Sequence, residues 1–225
     1  MKLNQKVLVS LSGGMDSATL LGIACQNYED VEAVGFTYGS KHNEWENECA
    51  IQLANYYQVP FDLIDLSEVM KGFKSNLLKS GGEIPEGHYE HESMALTVVP
   101  ARNMIFLSIL SGLAVSRDIR QIWIGVHKGD HPVYADCRPE FINHMRRAMH
   151  EGTDGKVDLY APFVCIDKKG ILQQGLKIGV PYKITRTCYK DQPLACGKCG
   201  SCTERLEAFA FNKTPDPVEY ETEDV

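Results

Sequence analysis

The stretch that decides the fold is KVLVSLSGGMDS, Lys6 to Ser17. KVLVSL is rich in Val and Leu, the composition of a short strand buried on both faces. Two glycines, two serines and an aspartate follow at once, and a helix-like segment, Ser17 to Tyr28, comes next. Between a strand and a helix, Gly13 and Gly14 let the backbone approach a ligand closely. The unpaired N–H groups at the helix start add a positive dipole end. The segment is therefore expected to bind an anion of the phosphate type. It is not a Walker A loop, because no GK[ST] brings a lysine to the terminal phosphates, and it is not GxGxxG.

Outward from this loop the pattern keeps alternating. Val31 to Tyr38 (VEAVGFTY) reads as a second buried strand. His42 to Tyr57 reads as a helix with Trp45, Cys49, Leu53 and Tyr56 on its apolar face, and Phe61 to Leu66 as a third strand. The order β-α-β-α-β implies a parallel sheet with helices on its faces. Arg102 to Val115 is an apolar helix behind Pro100, Gln121 to His127 a fourth strand, and Glu140 to Met149 amphipathic. Val157 to Val164 holds a fifth strand, and Lys168 to Ile178 a helix stopped by Gly179 and Pro181. A last helix covers Cys202 to Phe211. The expected fold is α/β, a doubly wound parallel five-stranded sheet over residues 1–185, with a C-terminal segment, 186–225, in the same structural unit. Lys71 to Thr97, rich in Gly, Ser and His, reads as a long, mobile loop of the kind that is often functional.

The 225 residues carry 23 Lys and Arg against 30 Asp and Glu, a net charge of −7. Pro215 to Val225 holds Asp216, Glu219, Glu221, Glu223 and Asp224 with no base, so the first 214 residues are nearly neutral, at −2. The acidity belongs to a tail expected to be solvated and mobile at its end. No basic stripe supports nucleic-acid binding. The longest apolar stretch, Met104 to Val115, is too short for a bilayer span, and the N-terminus lacks a signal-length apolar core, so a cytoplasmic location without a membrane partner is expected. There, eight cysteines do not imply disulfides. Cys25, Cys49, Cys137 and Cys165 are scattered, and the first, second and fourth read as packing residues. Cys188, Cys196, Cys199 and Cys202 cluster, with Gly197 and Gly200 in the turns between them. Four thiolates at this spacing suit a closed tetrahedral zinc site, one ion per chain; an iron–sulfur cluster uses the same ligand type and stays open as the alternative.

SGGxDS after the first strand resembles the PP-loop of the ATP pyrophosphatases, adenylating enzymes on a Rossmann-like adenine-nucleotide-binding fold. The resemblance implies an ATP site over Leu11, Ser12, Gly13, Gly14, Met15, Asp16, Ser17, Ala18, Thr19, Leu20 and Leu21. Ser12, Ser17 and the glycines would bind pyrophosphate, and Asp16 would help hold magnesium, which neutralises the leaving group. VPARN (Val99 to Asn103), DCRPEF (Asp136 to Phe141), GVPY (Gly179 to Tyr182) and TCY…CGKCGSC…EAF (Thr187 to Phe209) narrow the likeness over nearly the whole chain. Together they resemble the 7-cyano-7-deazaguanine synthase family of queuosine-precursor biosynthesis. That resemblance implies a homodimeric, zinc-containing ligase that uses ATP and ammonia to turn 7-carboxy-7-deazaguanine into the nitrile, through an amide. A related enzyme joining the deazaguanine carboxylate to another amine, and a zinc-containing module that binds ATP without turnover, are the alternatives. Two departures lie near the expected substrate pocket: His131-Pro132-Val133, where relatives carry a Tyr-Ser-Gly-like sequence, and Arg186, where a tryptophan is usual.

Arg102 and Asn103 open an apolar helix and are candidates for a phosphate or carboxylate of the substrate, or simply a helix start. Asp130 and Asp136 flank the loop after the fourth strand, where open α/β sheets place ligands. Asp136 could read a guanine-like base or cap a turn. His127 and His131 are candidates for proton transfer or plain packing residues, and Cys137 stands near the pocket without a general base beside it.

Overall fold

The computed structural model describes residues 2–88 and 92–221. Five strands form one sheet in the order β3-β2-β1-β4-β5: β1 (Leu3–Ser10), β2 (Tyr28–Thr37), β3 (Phe61–Asp65), β4 (Gln121–Trp123) and β5 (Asp158–Tyr160). Every pairing is parallel, with Val9 aligned on Ala33 on one side and on Trp123 on the other. The sheet grows outward from β1 to β3 and then restarts on the opposite side with β4. The carboxyl ends of β1 and β4 therefore flank a topological switch point, where sheets of this type open a crevice for ligands.

The alternation within β1 explains why it sits in the centre. Leu8 packs into one buried cluster with Val34, Phe36, Leu107, Leu110 and Ile122. Val7 and Val9 pack into a second with Leu20, Leu21, Leu53, Phe163, Leu172 and Phe209. The first layer is built mainly from α4 (Arg102–Ser116) and α5 (Pro139–Gly152), with the four-residue α3 (Ser67–Met70). The second takes α1 (Met15–Asn27), α2 (Asn43–Tyr57), α6 (Lys168–Ile178) and α7 (Gly200–Phe211). The doubly wound parallel sheet expected from the sequence is the observed one.

Glu92–Ser116 is apolar enough by composition to cross a membrane. It is nevertheless divided into a 3-10 turn, Glu92–Thr97, and the 15-residue α4. Ala101, at φ 51°, breaks the two. The α4 helix is shorter than the roughly 20 residues a span needs, and Phe106, Leu107, Leu110 and Ala114 bury it as a core helix.

Several details differ from the sequence reading. Strands four and five are three residues each, and Ile124 to His127, read as part of the fourth strand, line the crevice instead. The buried face of α2 is Asn43, Ala50, Leu53 and Ala54, whereas Tyr56 is exposed. Cys165 is exposed rather than packed. The Lys71–Thr97 segment, expected to be mobile, packs where it is described: Leu77 and Leu78 are buried, Ser40 bridges Leu78, and Glu86 bridges Cys199. Tyr89 to His91 lie outside the described residues.

The acidic tail also needs correcting. Asp216 is not solvated: it accepts from Arg205 Nε at 2.7 Å and Nη2 at 2.9 Å, with both side chains buried. The Tyr220 hydroxyl donates to Asp216 Oδ2 at 2.7 Å, and Tyr220 bridges Ala195. Glu223 and Asp224 lie outside the described residues. Removing one partner of a buried ion pair strands the other charge, at a cost of about 3–5 kcal/mol. Asp216→Ala is thus expected to lower the midpoint of thermal unfolding by roughly 6–20 °C. A melt within about 2 °C of wild type would contradict the docked tail.

Candidate active site and metal centre

The loop after β1 is held in shape by its own residues. The Ser12 N–H donates to Ser17 Oγ at 3.2 Å, the two hydroxyls lie 3.1 Å apart, and the Ser17 hydroxyl donates to the Gly14 carbonyl at 3.1 Å. Gly13 adopts φ +88°, and a side chain there would collide with the Glu46 carbonyl of α2. Only glycine satisfies both demands. Gly14 caps α1 without a side-chain hydrogen bond, so the first amides of that helix stay available. This is a preorganised anion cradle at the mouth of the crevice.

Leu11, Ser12, Gly14, Met15, Asp16 and Ser17 line the cleft. Ala18, Thr19, Leu20 and Leu21 do not: all four are fully buried in the helix–sheet layer, and the Thr19 hydroxyl bonds Tyr182 at 2.7 Å. They follow the loop directly in sequence, but helical periodicity turns them into the core. Arg102, Asn103 and Asp130 reach the cleft wall. Asp136 instead caps α4, accepting the Asn103 N–H at 2.8 Å. The Asn103 amide is spent on the Asp136 carbonyl and on Cys137 Sγ. Burial, with Asp130 and Asp136 nearby, pushes the Cys137 thiol well up, which disfavours a thiolate nucleophile.

One wall of the cleft is ionic. Asp16 Oδ2 lies 3.4 Å from Lys168 Nζ and 3.7 Å from His127 Nε2. Asp16 Oδ1 is buried with no partner among the described residues. Lys168 opens α6 behind the Asp167 N-cap, is itself buried, and pairs with Glu204 of α7 at 2.7 Å. Desolvation alone would lower its pKa, but Asp16 and Glu204 overcome that and hold it raised, so Lys168 is a fixed cation. The loop lacks a lysine of its own; α6 brings one to it. An unpaired carboxylate oxygen beside a fixed cation and free amides suits a divalent cation carrying phosphates.

The opposite wall is aromatic and mixed in charge. Phe36, Tyr38 and Phe106 line it, and the Phe36 and Phe106 rings stack with centroids 4.1 Å apart. Arg102 donates to the Tyr38 hydroxyl at 3.1 Å. His42 and Glu46, one turn apart on the entry to α2, are 3.4 Å from each other. Burial raises Glu46 to about 8, more than Arg102 and Arg186 can offset. Burial, reinforced by the same arginines, lowers His42 to about 3. From pH 4.5 to 8 the folded chain keeps a proton on Glu46 that the unfolded chain releases, so this contribution to stability is lost as pH rises. From pH 3 to 6.5 only the unfolded chain protonates His42, so that term rises with pH. The two slopes oppose each other up to 6.5 and leave a decline from 6.5 to 8. Glu46→Gln is expected to flatten that decline in melting temperature; an unchanged slope would assign it to other groups.

Arg186 joins three parts of the site. Its N–H donates to the Gly13 carbonyl at 2.9 Å. Its guanidinium donates to the carbonyls of Lys190, Gln192 and Pro193 and lies over the Trp45 ring at 5.5 Å. The fork of carbonyls is a reason for arginine where a tryptophan was expected.

Cys188, Cys196, Cys199 and Cys202 are all buried, with their Sγ atoms within 4.8 Å of one another. A metal–sulfur length of about 2.3 Å gives tetrahedral edges of about 3.8 Å, so the four thiols fit one ion. A four-iron cluster interposes its own atoms and spreads its ligands wider. The N–H groups of Lys190 and Cys196 donate to Cys188 Sγ, and those of Lys198 and Cys199 to Cys196 Sγ, at 3.3–3.4 Å. Such bonds stabilise thiolate charge.

His42, Glu46, Lys168 and Glu204 were not singled out from sequence. Lys168 had a usable signal, an aspartate N-cap one residue before it. The His42–Glu46 pair showed only the i,i+4 spacing of any helix.

The fold is shared with solved structures of low sequence identity. An NMN synthetase from Francisella tularensis superposes with a TM-score of 0.53 at 15% identity, over 94% of this chain and 79% of that one. An NH3-dependent NAD synthetase from Campylobacter jejuni gives 0.50 at 16%, over 81% and 68%. Among curated sequences, the 7-cyano-7-deazaguanine synthase of Marinobacter nauticus is 46% identical, covering 97% of this chain and 99% of that protein. 7-Cyano-7-deazaguanine synthase 1 of Colwellia psychrerythraea is 45% identical over 96% and 99%. The family model for queuosine biosynthesis protein QueC matches residues 6–213, a span that takes in both the loop after β1 and all four clustered cysteines. This chain, with its anion cradle, ionic cleft and thiol cluster, belongs to the QueC family.

Proposed function

We propose that this chain is an ATP-dependent 7-cyano-7-deazaguanine synthase working in the cleft between β1 and β4. The observation that carries the site assignment is the conjunction of a preorganised anion cradle, Ser12 to Ser17, with the buried Oδ1 of Asp16, which has no partner among the described residues. Ser12, Gly13, Gly14 and Ser17 hold the departing pyrophosphate, and Lys168 stands where Asp16 and the phosphates share its charge. Asp16 would hold the magnesium ion that accompanies the nucleotide, whose charge would neutralise that leaving group.

The chemistry balances in two rounds. The carboxylate oxygen of 7-carboxy-7-deazaguanine attacks the α-phosphorus of ATP and expels pyrophosphate. Ammonia then displaces AMP from the acyl carbon, losing a proton, to give the amide. In the second round the amide oxygen attacks the α-phosphorus of a second ATP and expels pyrophosphate, the nitrogen loses its two protons, and the C–O bond breaks to leave the nitrile and AMP. Both rounds need the same arrangement: phosphates fixed on one wall and the electrophile aligned in a site that excludes water. The wall of Phe36, Tyr38 and Phe106 offers ring faces for a heterocycle.

The four-cysteine centre is assigned to structural zinc, on the fit of four close thiols to one tetrahedral ion. Thiolate ligands of this kind persist in a reducing cytoplasm, the proposed location. A homodimer is proposed as the commonest assembly of soluble enzymes, to be read by light scattering. The function is tested by incubating purified protein with ATP and Mg2+. Starting from the 7-carboxy compound, multiple-turnover release of AMP and pyrophosphate is expected to require ammonium, with the nitrile as product. AMP without nitrile, or a deazaguanine adduct on another amine, would overturn the assignment.

A further inference from the structure

His127 follows β4 at the switch point, and its ring is buried. The Gly129 N–H donates to His127 Nδ1 at 3.0 Å, while the His127 N–H donates to Asp130 Oδ2 at 3.2 Å, a reciprocal cap on the turn Lys128–Asp130. A lone pair that accepts at Nδ1 puts the proton of the neutral ring on Nε2. That Nε2–H faces two carboxylates, Asp130 Oδ1 at 3.4 Å and Asp16 Oδ2 at 3.7 Å. Lys168 Nζ meets the same Asp16 oxygen at 3.4 Å from the other side. Asp16 Oδ1 is left buried and without a partner among the described residues.

We infer that His127 is a positioning residue: its Nε2–H and Lys168 bracket Asp16 Oδ2, and so turn Oδ1 toward the divalent cation that accompanies the nucleotide. The inference rests on the nucleotide reading of the cleft. A proton-transfer role for His127 does not fit the geometry, because its one lone pair is engaged by the Gly129 amide. Second-layer partners of this kind set the orientation of a ligating carboxylate, and losing one costs about 10–100-fold in metal affinity.

A purely structural cap makes a different prediction, and two substitutions separate them. In His127→Asn the side-chain carbonyl takes the place of Nδ1 and keeps the Gly129 cap, but nothing reaches Asp16. In His127→Gln the longer amide can offer an N–H near the position of Nε2, while the cap is lost. The readout is Mn2+ binding by electron paramagnetic resonance, with the non-cleavable analogue α,β-methylene-ATP, alongside thermal melts. His127→Asn is expected to bind Mn2+ about tenfold or more weakly while melting near wild type, and His127→Gln to bind within about threefold while melting lower. Wild-type-like Mn2+ binding by His127→Asn, or weaker binding by His127→Gln than by His127→Asn, would overturn the inference. Should the wild-type protein itself bind no Mn2+ with the analogue, the nucleotide reading falls, and the inference with it.

Discussion

Asp16→Asn is expected to lower AMP formation by on the order of 10³-fold or more with little effect on folding. The substitution keeps the size of the side chain but removes the charge from a cleft carboxylate whose second oxygen is buried with no partner among the described residues. In its place the chain would offer a cation held there a neutral amide. Folding should survive, because Lys168 keeps Glu204 at 2.7 Å and is not left as an isolated buried charge. The check is release of AMP and pyrophosphate from ATP with the 7-carboxy compound and ammonium, beside a thermal melt. A variant within tenfold of wild type would remove Asp16 from the catalytic machinery.

Cys199→Ser is expected to lose the metal and most of the stability together. Cys199 caps α7, its carbonyl accepts the Thr203 N–H at 3.0 Å, and it bridges Glu86 of the long loop. Its sulfur is one of four within a single ion's reach. Since metal binding at such a site is folding free energy, the melt is expected to fall by more than about 10 °C, with metal content near zero by elemental analysis. The loss should also reach the cleft. The helix that begins at the cysteine cluster carries Glu204 to Lys168, and Arg205 to Thr185, Thr187 and Asp216. A variant that kept both metal and melting temperature would refute a structural centre.

What was legible in the sequence follows from what is local. Strand, glycine turn and helix start are decided within a dozen residues, so the Ser12–Ser17 loop and its neighbours could be read directly. The cysteine cluster was equally plain, because three of its four ligands fall between residues 196 and 202. That the sheet is parallel with helices on its faces followed from alternation of strands and helices; its order, with β1 in the centre, did not. The rest depends on contacts that no local pattern contains. Lys168 reaches Asp16 from 152 positions away in the chain, and its role is invisible until α6 packs on α1. Asp216 looked like one more acid in a charged tail, yet a buried arginine on α7 claims it. Asp136 showed the opposite: a carboxylate suited to reading a base is consumed by the first turn of α4.

In the proposed reaction one cleft activates first a carboxylate and then an amide with AMP. The most direct measurement is nucleotide stoichiometry with each compound in turn. Starting from the 7-carboxy compound, two AMP and two pyrophosphate are expected per nitrile formed. Starting from the 7-amide, one of each is expected, and ammonium should no longer be required. ADP in place of AMP, or failure of the 7-amide to yield the nitrile, would contradict it.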